Sequence, residues 1–248
     1  MVLLAGLPFA FEPEPPATST PFRVVLQRRP AVETPRVPEA ARVSWEQDRC
    51  RLSHATFEAE LDPLRGEARV WRSPGSAIGL LTTLRTAICS RLPLEGGLVL
   101  HAAGLERDGR GLVFFGPSGA GKTTLAARSP WPIVSDELVA IVSGQGGTFA
   151  IRGTPFRKAP PGPAGASRRV SHLAALVELD KGAYRLTPLG RTEALRSLIA
   201  SAAVPAGPPL WTAALAVIGR LVQAVPTYRM AWSLDEALFD RLARDLSL

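Results

Sequence analysis

The eight residues GPSGAGKT at 116–123 fit the pattern G-x-x-x-x-G-K-[ST], which can work only where a strand turns into a helix. The flanks meet that demand. Residues 112–115 form an apolar run suited to a buried strand, and TLAARS continues the loop as a helix that must end before Pro130. The glycines let the backbone bend so that successive N–H groups converge, and the start of the helix adds partial positive charge at the same place. Gly116, Pro117, Ser118, Gly119, Ala120, Gly121, Lys122, Thr123 and Thr124 would line the resulting cradle. Lys122 would reach the β- and γ-phosphates of a nucleoside triphosphate, and the Thr123 hydroxyl would ligate Mg²⁺. The motif alone does not distinguish a kinase from an ATPase, a GTPase or a binding module.

A chain of 248 residues has room for one large domain, or for one domain and a small N-terminal module. Its hydrophobic share of 46% is enough for a packed core. No stretch of about eighteen uncharged apolar residues occurs, so no membrane span is expected. The opening MVLLAGLPFAF is apolar but lacks a basic start and is broken by Pro8. It reads as a mature N-terminus or a strand rather than a secretion signal. Cys50 and Cys89 make neither a disulfide framework nor a metal site, and buried, reduced thiols of a cytoplasmic protein are the expectation. The net charge of +7 comes almost wholly from arginine, because only Lys122, Lys158 and Lys181 are lysines. The basic residues are scattered and not interleaved with aromatics, so no nucleic-acid platform is expected.

Residues 1–41 read as a proline-rich, partly extended segment, within which 22–27 could form an edge strand. Alternating runs at 42–45, 49–53, 56–61 and 67–71, with a turn at 62–66, predict a small antiparallel sheet. Ser76 suits an N-cap for a helix through Arg91, with Ile78, Leu81, Leu84 and Ile88 on its buried face. Residues 42–95 then form a small β-rich module with one helix, and 96–248 the main domain. In the main domain, strands at 98–105 and 111–115 flank an Asp108-Gly109 turn. Further strands are expected at 133–134, 137–142, 148–152, 173–179 and 227–231, and helices at 191–202, 210–224 and 234–246. Residues 159–169 read as a mobile surface loop. The fold class is mixed α/β.

A phosphate loop needs an acidic partner to complete a magnesium site. Asp136 and Glu137 follow a short apolar run fourteen residues after Lys122. One carboxylate could hold Mg²⁺ while the other takes the proton of an attacking hydroxyl. His101 lies on the apolar strand expected to pair with the loop strand. His54 and His172 carry no accompanying pattern and read as satisfied core residues.

Taken together, LHAAGL, GPSGAGKTT, SDELV and IRGTPF resemble the catalytic domain of the HPr kinase/phosphorylase family and its kinase-like relatives. The resemblance covers about residues 97–156 and implies a phosphate-loop sheet of that family's C-terminal-domain type with flanking helices. It implies Asp136 as the base that activates an acceptor serine and Glu137, in place of the family's second aspartate, as a magnesium ligand. His101 would orient the acidic site and Arg152 would steady phosphate charge. The interval from Lys122 to Asp136 is shorter than the family's usual one. Residues 157–169 do not match the family's protein-substrate signature, so HPr itself is not the expected acceptor. Relatives with this compact layout occur beside peptide-modification genes.

These readings converge on an ATP- and Mg²⁺-dependent cytoplasmic kinase that phosphorylates a hydroxyl, serine above all, of a peptide or protein. Two alternatives stay open: a nucleotide-dependent binding or assembly protein with little transfer, and a small-molecule kinase. Oligomeric state is open too, a homo-oligomer included.

Overall fold

Alternating hydrophobicity in the first hundred residues gives strands with one wet and one dry face, and the structure arranges them as one sheet. The computed structural model describes residues 22–28, 30, 40–73, 77–156, 171–233 and 235–248. The readings of residues 1–21, of most of the proline-rich stretch, of the Ser76 cap and of the 159–169 loop lie outside them. The chain divides into two units, Met1–Glu95 with Val204–Thr212, and Gly96–Ala203 with Ala213–Leu248. Among the described residues there are two sheets and five α-helices, a mixed α/β architecture.

In the first unit, β1 (Arg23–Arg28), β2 (Arg42–Glu46), β3 (Arg49–His54), β4 (Phe57–Asp62) and β5 (Glu67–Arg72) form a sheet in the order β1-β5-β4-β3-β2. Leu52, Phe57, Leu61 and Val70 are fully or almost fully buried on one side. The alternate residues carry charge in register, as in Arg69, Glu60 and Arg51 across three strands, where Arg51 Nη2 donates to Glu60 Oε1 at 2.9 Å. β2–β5 are antiparallel neighbours, as the alternating runs predict, and the edge strand β1 adds to β5 in parallel.

Helix α1 (Ile78–Leu94) follows and ends three residues later than expected. Its buried stripe is also not the predicted one. Ile78 and Leu81 are 45% and 49% exposed, while Gly79, Thr83, Ala87 and Ser90 are buried. Small residues win because the helix lies very close to the sheet: a Cβ on Gly79 would sit 2.6 Å from Phe57 Cβ. The buried hydroxyls bond within the helix, Thr83 Oγ1 to Gly79 O and Ser90 Oγ to Thr86 O, each at 2.7 Å, so their burial leaves no donor unpaired. Cys50 and Cys89 are buried free thiols, as expected. Burial pushes them up to about 11 and about 12 respectively. His54 bonds Thr56 through Nδ1 and stacks on Phe57, as a satisfied core histidine should.

The second unit opens with β6 (Leu98–Arg107) and β7 (Arg110–Phe115). Asp108 and Gly109 between them both have positive φ, 50° and 77°, the backbone of a two-residue hairpin. Then come α2 (Lys122–Arg128), β8 (Ile133–Ser135), β9 (Leu138–Ser143), β10 (Phe149–Gly153), β11 (Ser171–Lys181), β12 (Arg185–Pro188), α3 (Arg191–Ser201), α4 (Pro208–Ala224), β13 (Thr227–Trp232) and α5 (Leu238–Asp245). The sheet runs β10-β9-β6-β7-β11-β13-β12, with β8 also on β6 and β10 also on β11. β7, β11 and β13 are parallel neighbours. The short, mostly exposed strand β12 was not expected, and α5 starts four residues later than predicted. His172 is exposed at the start of β11, so the core reading of that histidine is wrong. On one sheet face Leu105, Leu112, Phe114, Val177 and Met230 pack with Leu125 of α2. No described helix is long and apolar enough to cross a membrane.

Candidate functional site

The loop after β7 is shaped by contacts at both ends. Gly116 has φ 141°, and a Cβ there would lie 3.1 Å from the backbone oxygen of Leu179 on β11. Gly121, at φ 92°, would place a Cβ 2.5 Å from Cζ2 of Trp232 on β13. Pro117, Ser118 and Gly119 between them are exposed. Lys122 is only 8% exposed, and its Nζ donates to Gly116 O at 2.7 Å and to Pro117 O at 3.0 Å. The lysine thus spans the loop, holding the Gly116 carbonyl and sharing the Pro117 carbonyl with the Ala120 N–H, which donates to it at 3.2 Å. Thr123 and Thr124 lie exposed in the first turn of α2.

Strand pairing brings the other candidates to the same strand end. Ala102 on β6 stands opposite Phe115, the last residue of β7. On the other side of Ala102, its N–H donates to Glu137 O at 3.1 Å. His101, one residue earlier, pairs with Leu138. Asp136 and Glu137 form the link between β8 and β9, with Asp136 4% exposed and Glu137 half-buried. That link is held by its neighbours: Ser135 Oγ and Thr154 Oγ1 both donate to Leu138 O, at 2.7 and 2.8 Å.

Arg152 sits on β10, aligned through Ala140 with Val99, two residues before His101. Strand alternation puts it on the same sheet face as His101 and Ala103, the face that packs on α2. Its Nε is buried and has no partner among the described residues, an arrangement that costs stability unless something binds there. The structure therefore gathers His101, Asp136 and Glu137 at the end of the loop strand and sets Arg152 on β10, two strands from the β6 of His101, on the loop's side. Among the described residues no group of three or more His, Cys, Asp or Glu could hold a metal without other ligands.

Three supports of this site were not read from the sequence. Ser135 and Thr154 fix the acidic link, and Trp232 Nε1 donates to Ala120 O at 3.2 Å across a separation of 112 residues. Ser135 and Thr154 lie within the SDELV and IRGTPF stretches but carry no signal of their own there, and Trp232 ends an ordinary strand-like stretch with none to connect it to the loop.

A family model described as ScmC, SynChlorMet cassette protein ScmC, matches residues 77–246. The chain belongs to this family. The span shared with ScmC contains the loop, the acidic link, Arg152 and Trp232 alike. No curated protein matches the chain. Among solved structures this ScmC-family chain is similar to the HPr(Ser) kinase/phosphatase from Coxiella burnetii, with a TM-score of 0.34 and 11% sequence identity, over 59% of this chain and 94% of that one.

Proposed function

We propose that this ScmC-family protein is an ATP-dependent phosphotransferase that moves the γ-phosphoryl group to a hydroxyl, a serine of a peptide or protein. One observation carries the reading: a glycine-rich loop of the nucleotide-binding pattern shares its strand end with His101, Asp136 and Glu137. Lys122 and Arg152 fit a polyphosphate. The Lys122 ammonium is already turned onto the loop, and the orphaned Arg152 Nε supplies an unused donor on the same face. Thr123 and Glu137 would hold Mg²⁺, which takes its remaining ligands from phosphate oxygens and water and would neutralise charge on the β- and γ-phosphates.

Asp136 would accept the proton of the acceptor hydroxyl as its oxygen bonds the γ-phosphorus and the bond to ADP breaks. His101, on the strand position paired with Leu138 two residues past Asp136, would hold the orientation of that carboxylate. Lys122 and Arg152 would stabilise the charge spread over the transferring group. A cytoplasmic location belongs to this reading, since ATP is present there and Cys50 and Cys89 would stay reduced.

Burial of Asp136 to 4% exposure favours a second reading, in which the carboxylate braces the loop and the protein is a nucleotide-dependent binding module. Asp136→Asn separates the two. Titration calorimetry with Mg-ATP should find its affinity little changed. Phosphate transfer to short peptides encoded beside the gene, read as a phosphate mass shift, should fall by roughly 100-fold or more. Transfer by Asp136→Asn at the wild-type rate would sink the assignment of the base, and a chain that binds no Mg-ATP would sink both readings.

A further inference from the structure

The loop motif accounts for glycine at 121 by backbone freedom, but the structure shows a second occupant of that space. The indole of Trp232 lies where a side chain at 121 would be, and its Nε1–H holds the Ala120 carbonyl. Trp232 is 7% exposed and ends β13. Its own carbonyl accepts from Gly182 N at 3.2 Å, so the residue is anchored by the sheet rather than by the loop. Beside it in register is Lys181, two residues past Leu179, the residue whose backbone abuts Gly116. Both ends of the loop thus rest on the last residues of two parallel strands.

A trans peptide points its C=O and N–H in opposite directions, and the chain has no cis peptide among the described residues. Fixing the Ala120 carbonyl toward Trp232 therefore fixes the Gly121 N–H away from it. We infer that Trp232 is a positioning residue: its indole N–H sets the 120–121 peptide so that the Gly121 N–H is presented to the phosphates of the nucleotide. This rests on the nucleotide-binding reading above.

The test uses the full chain, wild type and Trp232→Phe, with two probes, Mg-ATP and Mg-tripolyphosphate. Phenylalanine removes the donor to Ala120 and also the indole atoms Cζ2 and Cη2 that meet Gly121, so the affinity change is read together with the wild-type resonance below. Calorimetry should show both probes bound about 3- to 10-fold more weakly by Trp232→Phe, the range of one hydrogen bond. The loss should be the same for each, because the lost interaction concerns phosphate and not the base. A packing role alone would not produce a second signature: in the wild type, the Trp232 indole N–H resonance, assigned directly, should shift on adding either probe. Equal affinities for wild type and variant, or an indole resonance that stays in place at saturation, would overturn the inference while leaving nucleotide binding intact. Loss confined to Mg-ATP would overturn it as well. A wild type that binds neither probe would remove the nucleotide reading and this one together. The resonance measurement needs only wild-type protein, so a variant that folds poorly does not spare the inference.

Discussion

Replacing a helical glycine by alanine ordinarily stabilises, by about 1 kcal/mol, because the unfolded chain loses freedom and the helix gains a better former. Gly79 is in the first turn of α1 and Gly219 is inside α4, and propensity predicts a gain at each, full at Gly219 and smaller at Gly79. The structure predicts opposite signs. At Gly219 a Cβ would meet nothing within 4 Å, so Gly219→Ala should keep the gain of about 0.5–1 kcal/mol. At Gly79 the new methyl would lie 2.6 Å from both Cβ and Cγ of Phe57, whose side chain is fully buried. Overlap with two carbons that cannot retreat into solvent belongs at the upper end of overpacking costs, about 3 kcal/mol. Set against a gain of at most about 1 kcal/mol, a net loss of about 2 kcal/mol or more remains. Urea unfolding of the two variants, followed by circular dichroism, should shift their midpoints in opposite directions. Phe57→Ala, which removes Cγ and Cδ1 and keeps only Cβ, should cost less in a Gly79→Ala background than in the wild type, giving a measurable coupling in a double-mutant cycle. An increase in stability for Gly79→Ala would refute the close approach of α1 to β4.

The remaining predictions concern the site and the thiols. Lys122→Ala should weaken Mg-ATP binding by about 10- to 100-fold, the loss of a charged hydrogen-bonding donor, as measured by calorimetry. Arg152→Met should leave the melting temperature unchanged or slightly raised, because it removes a buried donor without a partner among the described residues, yet it should lower phosphate transfer; a marked fall in melting temperature would mean that Arg152 is structural. Cys50 and Cys89 should resist maleimide at pH 8 until urea unfolds the protein. Both thiols titrate above their ordinary value of 9.0, at about 11 and about 12, so above pH 9 the unfolded chain loses protons that the folded one keeps. Stability should then fall as pH rises from 9 through that window, and a double Cys→Ala variant should lose less of it between pH 8 and pH 10.5.

The parts of the fold legible in sequence are those specified locally. Positive φ at Asp108 and Gly109 follows from a two-residue turn between alternating runs, so β6 and β7 could be paired on sight. The buried face of α1 could not, because hydrophobicity ranks Ile78 and Leu81 as core. Whether a helix buries large or small residues depends on how near its partner lies, and Phe57 sets that distance from 22 residues away. Strand β12 was missed for a related reason: Arg185, Thr187 and Pro188 are exposed, and only pairing with β13 makes the segment a strand.

The candidate site divides along the same line. The loop was read from a pattern of fixed spacing, the acidic pair from its place after a short apolar run beyond that loop, and His101 and Arg152 from stretches that resemble a known family. What holds these groups in place was not found. Gly116 and Gly121 look, in sequence, like glycines needed for a sharp bend, and their φ values agree. Yet each is also the point where another strand arrives, β11 at Leu179 and β13 at Trp232. A side-chain-free Cα therefore serves two demands at once, and the second is encoded some 60 and 110 residues downstream. A glycine in such a motif specifies what the loop can do; the strands that close on it specify the one conformation in which it does so.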